Sequence, residues 1–358
     1  MSTLGLLSKI PLYTSFRRLG WPRLLPFSLV ISVCYRCNSR CHTCNVWKKH
    51  ADELTLLEWD RIFANIGRTP YYLTFTGGEP FLRRDLVELI ASAYTHCRPA
   101  VITLPTNGLL SDLIPQEVEE LLEVAPHSKL GINLSLDGLG DQHDAIRGVP
   151  GNFARTLQTY HALKAIDHPN LTVSLHTVIS RYNVKDIPAI YAELSALEPD
   201  SYITEIAEER VELDTVGLDI VPDLEDYADS VDFLAEKLRE RHFGGISKVT
   251  QAFRQRYYEL VKQILREHRQ VIPCYAGWAS GHIAPDGDVW TCCIRAEPIG
   301  NLRETNYDLR PIWFGSRAEA LRNDIRAGGC YCPMANAGYT NMFLHAPTLI
   351  RVALQALR

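Results

Sequence analysis

No stretch of this sequence stays apolar over the roughly 18 residues that a membrane-spanning helix requires, so no transmembrane segment is expected. The opening segment, Met1 to Lys9, lacks a basic region followed by a long apolar core. A secretory signal is therefore not expected, and a cytoplasmic location is. Basic charge is not in excess either. Lys and Arg number 37 against 42 Asp and Glu, a net charge of −5 that leaves no electrostatic footprint for a nucleic-acid binder. Ten cysteines in 358 residues are too sparse for a small disulfide scaffold. They cluster towards the two ends of the chain, which reads as metal binding in a reducing compartment. Hydrophobic content of 46% and charged content of 22% are ordinary for a globular protein, and the length accommodates one large domain and a smaller one.

Residues 1–26 are apolar and basic, with Arg17, Arg18, Trp21 and Arg23. Pro11, Pro22 and Pro26 interrupt any long helix, which favours an extension packed on the main domain over an amphipathic surface segment. Strand-like runs then occur at Phe27–Val33, Tyr71–Thr76, Ala100–Leu104, Leu130–Leu136, Leu171–Ile179 and Ser201–Ile206. Between them, Leu54–Asn65, Asp85–Tyr94, Pro115–Val124, Phe153–Ala165 and Ile187–Leu197 have helical periodicity. Six strands alternating with helices predict an α/β fold with a parallel sheet and right-handed crossovers. Ligands of such sheets sit at the C-terminal ends of the strands.

The first strand runs into Cys37-Asn38-Ser39-Arg40-Cys41-His42-Thr43-Cys44. Three thiolates can hold three irons of a 4Fe–4S cube and leave the fourth iron without a protein ligand. Cys34 extends the run to C-x2-C-x3-C-x2-C, which also describes a four-thiolate zinc site, although a tight one. The second strand ends in Thr76-Gly77-Gly78-Glu79-Pro80, where two glycines let backbone approach a ligand and Glu79 supplies an acceptor. The third ends in Pro105-Thr106-Asn107-Gly108, which as a turn needs no further role. In the fourth, alternation puts Asn133, Ser135 and Asp137 on one face. Arg147 follows, either to hold a carboxylate or to cap a helix. His176 on the fifth strand is a substrate-side candidate beside the plainer reading of a core histidine. The run Glu205, Glu208, Glu209 and Arg210 reads as a solvated face, with Glu205 able to point inward.

Residues 207–222 look like a connector. Two amphipathic helices, Leu224–Arg241 and Val249–Arg269, follow across His242-Phe243-Gly244-Gly245. Asp286-Gly287 between alternating residues predicts a β-hairpin that brings Cys274 and Cys292 to one centre. Cys330 and Cys332 complete a four-thiolate set, with Cys293 competing for a place in it. A zinc ribbon has the same outline. The tail, Met342–Arg358, reads as a short apolar helix after Pro347 that docks on the main domain, and peripheral contact with a membrane is the lesser reading.

The cysteine loop, the GGEP turn and Ser135-Leu136-Asp137-Gly138 together resemble the radical SAM superfamily. The segment from Cys274 to Cys332 resembles its auxiliary-cluster domains, called SPASM or twitch. The resemblance implies a partial (β/α)6 barrel over 27–212, after an N-terminal extension at 1–26. A helical connector over 213–272, an auxiliary iron–sulfur domain over 273–333 and a helical tail over 334–358 follow. It implies a 4Fe–4S cluster on Cys37, Cys41 and Cys44, with its open iron chelated by S-adenosylmethionine. It further implies cofactor contacts from Gly77, Gly78, Glu79, Asn107, Ser135 and Arg147, and one auxiliary 4Fe–4S cluster on Cys274, Cys292, Cys330 and Cys332. The C-x2-C-x5-C-x3-C run of a full two-cluster SPASM domain is missing, and Thr43 stands where many relatives carry an aromatic residue against the adenine.

The activity so implied is reductive cleavage of S-adenosylmethionine to a 5′-deoxyadenosyl radical that takes hydrogen from a substrate C–H bond. A flavodoxin- or ferredoxin-type protein would be the electron donor. A fully ligated auxiliary cluster suggests a net oxidation or bond formation. With only 26 residues before the barrel, a separate peptide-recognition domain is not expected. The reading therefore tilts to a small molecule such as a sugar, an aminocyclitol or a lipid-like compound, with a peptide or protein maturase as the alternative. An iron–sulfur electron-transfer protein is the non-enzyme alternative, and it would need neither GGEP nor SLDG.

Overall fold

The computed structural model describes residues 3–240 and 245–356. The six alternating runs form β1 (Ser28–Cys34), β2 (Tyr72–Gly77), β3 (Val101–Thr106), β4 (Lys129–Ser135), β5 (Leu171–Ile179) and β6 (Ser201–Ile206). Each pairs in parallel with the next. The sheet does not close, because the free edge of β1 takes β7 (Ser280–Ile283) in parallel instead of β6. β8 (Asp288–Trp290) and β9 (Pro298–Asn301) continue antiparallel, giving one nine-stranded sheet with β1 inside it. The fold is thus α/β, an open six-strand parallel array extended by the second cysteine segment. The Asp286-Gly287 hairpin forms, with Gly287 at φ +90° and His282 opposite Trp290.

Helices cover the outer face of the array. Leu56–Ile66 is typical: Thr55 accepts from the Glu58 N–H at 3.3 Å while Glu58 accepts from the Thr55 N–H at 2.8 Å, a reciprocal cap. Its inner face buries Trp59, Ile62, Phe63 and Ile66. The same Glu58 accepts from Arg303 Nε at 2.7 Å, tying this helix to the segment after β9. Helix Gly140–Arg147 carries no apolar periodicity in its Gly-Asp-Gln-His-Asp-Ala-Ile-Arg sequence and has no counterpart among the sequence expectations.

Two of the prolines sit inside helices instead of interrupting or preceding them. Helix Lys9–Leu19 runs through Pro11, and helix Ala346–Ala356 contains Pro347 instead of following it. Both prolines lie in a first turn, where the missing N–H would have no intrahelical acceptor anyway. Helix Lys9–Leu19 buries Tyr13 and Phe16 in a cluster with Phe27, Tyr275, Trp278 and Leu344. It therefore joins β1 to the second cysteine segment. Helices Leu224–Glu240 and Gly245–Glu267 pack on each other, and the tail helix packs on the latter. The predicted break at 242–245 lies largely outside the described residues.

Phe16→Ala removes a fully packed ring from this second cluster and should lower stability by about 3–5 kcal/mol, read from the chemical unfolding midpoint. A loss under about 1 kcal/mol would show that the N-terminal helix is not part of the folded core.

Candidate functional site

The loop after β1 is fixed by backbone bonds from two other parts of the chain. Arg40 N–H and His42 N–H donate to Arg147 O and Ile146 O, and Asn45 N–H to Leu213 O, each at 2.9 Å. The sulfurs face donors. Cys37 Sγ accepts from Ser39 N–H at 3.4 Å and from Asn107 Nδ2 at 3.8 Å. Cys44 Sγ accepts from Val46 N–H at 3.5 Å, and Arg147 Nη1 lies 3.7 Å from Cys41 Sγ. Such donors compensate thiolate charge in a dry site. Cys34 is different. It is fully buried, its Sγ directed at the Arg36 and Glu79 carbonyls, and burial pushes its thiol up to about 12.

The glycines of GGEP meet protein backbone. A Cβ on Gly77 would lie 2.1 Å from Cys34 O, and one on Gly78 2.0 Å from Arg36 O. The turn therefore crosses directly over the cysteine loop. Glu79 is buried, and its carboxylate accepts from Thr106 Oγ1 and Asn107 N–H at 2.8 Å and from Phe81 N–H at 3.3 Å. It staples the end of β2 to the end of β3. Burial pushes Glu79 up to about 7, against the pull of those donors. Asn107 donates to Asn38 Oδ1 at 2.7 Å as well as facing Cys37. Ser135 stands half-buried at the end of β4, in register with His176.

Arg147 is neither a cap nor a surface group. Its Nη2 pairs with buried Asp137 at 2.8 Å, while Nη1 faces Cys41. Burial opposes its charge, and Asp137 and Cys41 outweigh that, so its pKa is raised. Its Nε is buried without a partner. His176 Nε2 lies 3.6 Å from Glu205 Oε1. Glu208 and Arg210 are not a solvated face: they pair at 3.2 Å with 6% and 14% side-chain exposure. The connector folds inward here, a tertiary placement that a charge run cannot signal.

Cys274, Cys292, Cys330 and Cys332 lie close enough that Cys292 and Cys330 act on the Cys274 thiol, and Cys274 and Cys292 on that of Cys332. Burial pushes Cys274 up to about 12 and raises the Cys332 thiol well above its ordinary value, as expected for thiols whose ionised form needs a cationic partner. Cys293 is buried against Met334, its Sγ 3.6 Å from Met334 Sδ, and Cys332 packs against the same small cluster. Among the described residues, the only three such donor atoms drawn within 4.8 Å of one another belong to Glu212, His282 and Cys293. Neither cysteine set is gathered to the roughly 3.8 Å between sulfurs of a tetrahedral zinc. The wider spacing and the donors around each sulfur fit a multi-iron cluster, and the orphaned Arg147 Nε leaves a donor for a further anionic group.

Arg147→Met should leave Asp137 buried without its counter-charge and cost about 3–5 kcal/mol, with Arg147→Lys recovering part of the loss. An unchanged unfolding midpoint in Arg147→Met would contradict the pairing. Glu79 has a folded pKa raised to about 7 from 4.5. Its contribution to stability is complete below the unfolded value and is lost as pH rises through the folded one. Glu79→Gln, which cannot ionise, should make the decline in melting temperature across that window shallower; an identical slope would refute the assignment.

Comparison with known proteins agrees with this geometry. The model of the radical SAM superfamily matches residues 31–194, and that of the SPASM iron–sulfur cluster-binding domain matches residues 274–333. Fe-coproporphyrin III synthase of Methanosarcina barkeri is 32% identical over 218 residues, 59% of this chain and 51% of that protein. The chain thus spans about half the length of that relative. PqqA peptide cyclase of Methylocella silvestris is 27% identical over 341 residues, 86% of this chain and 83% of that one. Among solved structures, Streptococcus suis SuiB bound to S-adenosylmethionine superposes with a TM-score of 0.63 at 16% identity, covering 86% of this chain and 70% of SuiB. The chain has a 4Fe–4S cluster and S-adenosylmethionine as cofactors, with auxiliary iron–sulfur in its C-terminal part. It belongs to the radical SAM superfamily and carries a C-terminal SPASM domain.

Proposed function

We propose that this chain is a radical SAM enzyme that oxidatively modifies a ribosomally made peptide or protein. The observation that carries this reading is the extent of the likeness to PqqA peptide cyclase, which runs through both domains. The higher identity to Fe-coproporphyrin III synthase extends over a smaller share of the chain. A small-molecule substrate such as a sugar, an aminocyclitol or a lipid-like compound has less support than the peptide reading.

In this account Cys37, Cys41 and Cys44 hold the first cluster, and Cys274, Cys292, Cys330 and Cys332 hold one auxiliary cluster. With both and S-adenosylmethionine bound, the cofactors supply a 5′-deoxyadenosyl radical to take hydrogen from a C–H bond, and an acceptor for the electron left behind. The chain's own part is placement. Gly77 and Gly78 keep the GGEP backbone against the cysteine loop, and Glu79 holds that turn to β3. Asn107 orients Cys37, and Ser135 offers a hydroxyl to S-adenosylmethionine. Arg147 balances the negative charge at Cys41 and presents its free Nε to the cofactor carboxylate. Electrons would come from a flavodoxin- or ferredoxin-type partner.

Cys41→Ala should abolish S-adenosylmethionine cleavage while leaving the circular dichroism spectrum unchanged; cleavage retained in that variant would remove Cys41 from the first cluster. Cys330→Ala should lower bound iron by roughly half and spare the first cluster, and undiminished iron would take Cys330 out of the ligand set. Incubation of the reconstituted chain, S-adenosylmethionine and dithionite with a library of short peptides should yield a peptide lacking two hydrogens by mass spectrometry. Unmodified peptides together with turnover of an added sugar or aminocyclitol would reverse the choice of substrate.

A further inference from the structure

A buried cluster that the proposed ligand sets do not use lies between them. The connector after β6 is stitched to both cysteine segments. Val211 N–H donates to Ile294 O at 3.2 Å and Glu212 N–H to Cys293 O at 3.4 Å. On the other side, Lys49 Nζ donates to Glu212 O at 2.6 Å. Glu212 is thereby set beside His282 of β7 and Cys293, with 7%, 1% and 4% exposure respectively. One carboxylate oxygen, one ring nitrogen and one thiol sulfur lie within 4.8 Å of each other. His282 Nε2 is 3.7 Å from Glu212 Oε1 and 2.9 Å from Ser32 Oγ. The Trp290 ring covers the imidazole, with ring centres 4.7 Å apart. His282 Nδ1 is buried with no hydrogen-bond partner.

Charge at this point is incompletely matched. Arg210, whose charge also reaches Glu212, His282 and Cys293, is paired with the Glu208 carboxylate and so neutralised by it, and Lys49 reaches the backbone of Glu212 instead of its carboxylate. Among the described residues no Lys or Arg forms an ion pair with Glu212. A thiolate and a carboxylate facing a neutral imidazole would sum to two negative charges, which one divalent cation neutralises in place. That removes most of the cost of burying them.

We propose that Glu212, His282 and Cys293 form a buried binding site for one divalent transition-metal cation of the zinc class. The mixed sulfur, nitrogen and oxygen donors suit zinc in preference to magnesium or calcium, which take oxygen ligands. Ligand bonds of about 2.0–2.3 Å require the donors to close by roughly 1 Å, within the reach of side-chain rotation. The fourth tetrahedral position falls to a small donor such as a water or the Ser32 hydroxyl, which lies 2.9 Å from His282 Nε2. The cation would tie the connector after β6 to β7 and to the segment that carries Cys292, since Cys293 adjoins Cys292 in sequence and Lys49, five residues beyond Cys44, holds the Glu212 backbone.

The test uses the anaerobically reconstituted full chain, with its cluster cysteines occupied by iron, dialysed against zinc. Metal counting should find about one zinc per chain in addition to the iron, and zinc-edge X-ray absorption should show one sulfur among lighter neighbours. His282→Ala and Glu212→Gln should each weaken zinc binding roughly tenfold or more. Cys293→Ser should remove sulfur from the zinc shell, and all three variants should keep their iron. No retained zinc, zinc with only sulfur neighbours, or iron lost from Cys293→Ser would overturn the proposal. S-adenosylmethionine cleavage is followed on the same samples. Zinc bound without cleavage would count against the enzyme reading alone, and normal cleavage without zinc against the metal site alone.

Discussion

Two backbone hydrogen bonds hold the chemistry of this protein in place. Gly78 N–H donates to Cys34 O and Glu79 N–H to Arg36 O, both at 2.8 Å. They lay the turn after β2 across the exit of β1, so the cysteine loop leaves the sheet in one direction. The approach tolerates no side chain, since a Cβ on Gly78 would meet Arg36 O at 2.0 Å. Glu79 then carries the constraint to β3 through Thr106 and Asn107, and Asn107 passes it back to Cys37. The loop is over-determined, and a reactive cluster needs that fixity because its ligands must not rearrange with redox state.

The second constraint is continuity of the sheet. β1 pairs with β2 on one edge and β7 on the other, so both cysteine segments are anchored to the same strand. The connector after β6 closes the gap by bonding to Asn45 on one side and Cys293 on the other. Helix Lys9–Leu19 braces the join with Tyr13 and Phe16. The distance between the two cysteine sets is therefore fixed by hydrogen-bonded sheet and packed core.

Much of this was legible in the sequence where the signal was local. Strand-like runs alternating with helical periodicity located all six parallel strands, several of them buried over consecutive residues as strands covered on both faces are. Cysteine spacing and the GGEP and SLDG strand ends pointed to the cofactors, and Asp286-Gly287 to the hairpin. What was illegible depended on partners distant in the chain. Arg147 could be a clamp or a cap until Asp137 and Cys41 stood beside it. Glu208 and Arg210 look solvated in sequence, and only the inward fold of the connector buries them. Cys292 and Cys293 are equivalent as letters, and only the turn after Trp290 and the packing of Cys293 on Met334 tell them apart. Helix Gly140–Arg147 escaped notice because a polar helix has no hydrophobic period to read.

The chemistry proposed for this chain depends on the loop from Cys37 to Cys44 holding a cluster with one iron free for S-adenosylmethionine. The most direct measurement is to purify and reconstitute the wild-type chain without oxygen, add dithionite and S-adenosylmethionine, and quantify 5′-deoxyadenosine alongside iron and sulfide. The account predicts 5′-deoxyadenosine together with about eight irons per chain, the content of two four-iron clusters. Intact S-adenosylmethionine, with zinc in place of iron on the cysteine loop, would contradict it.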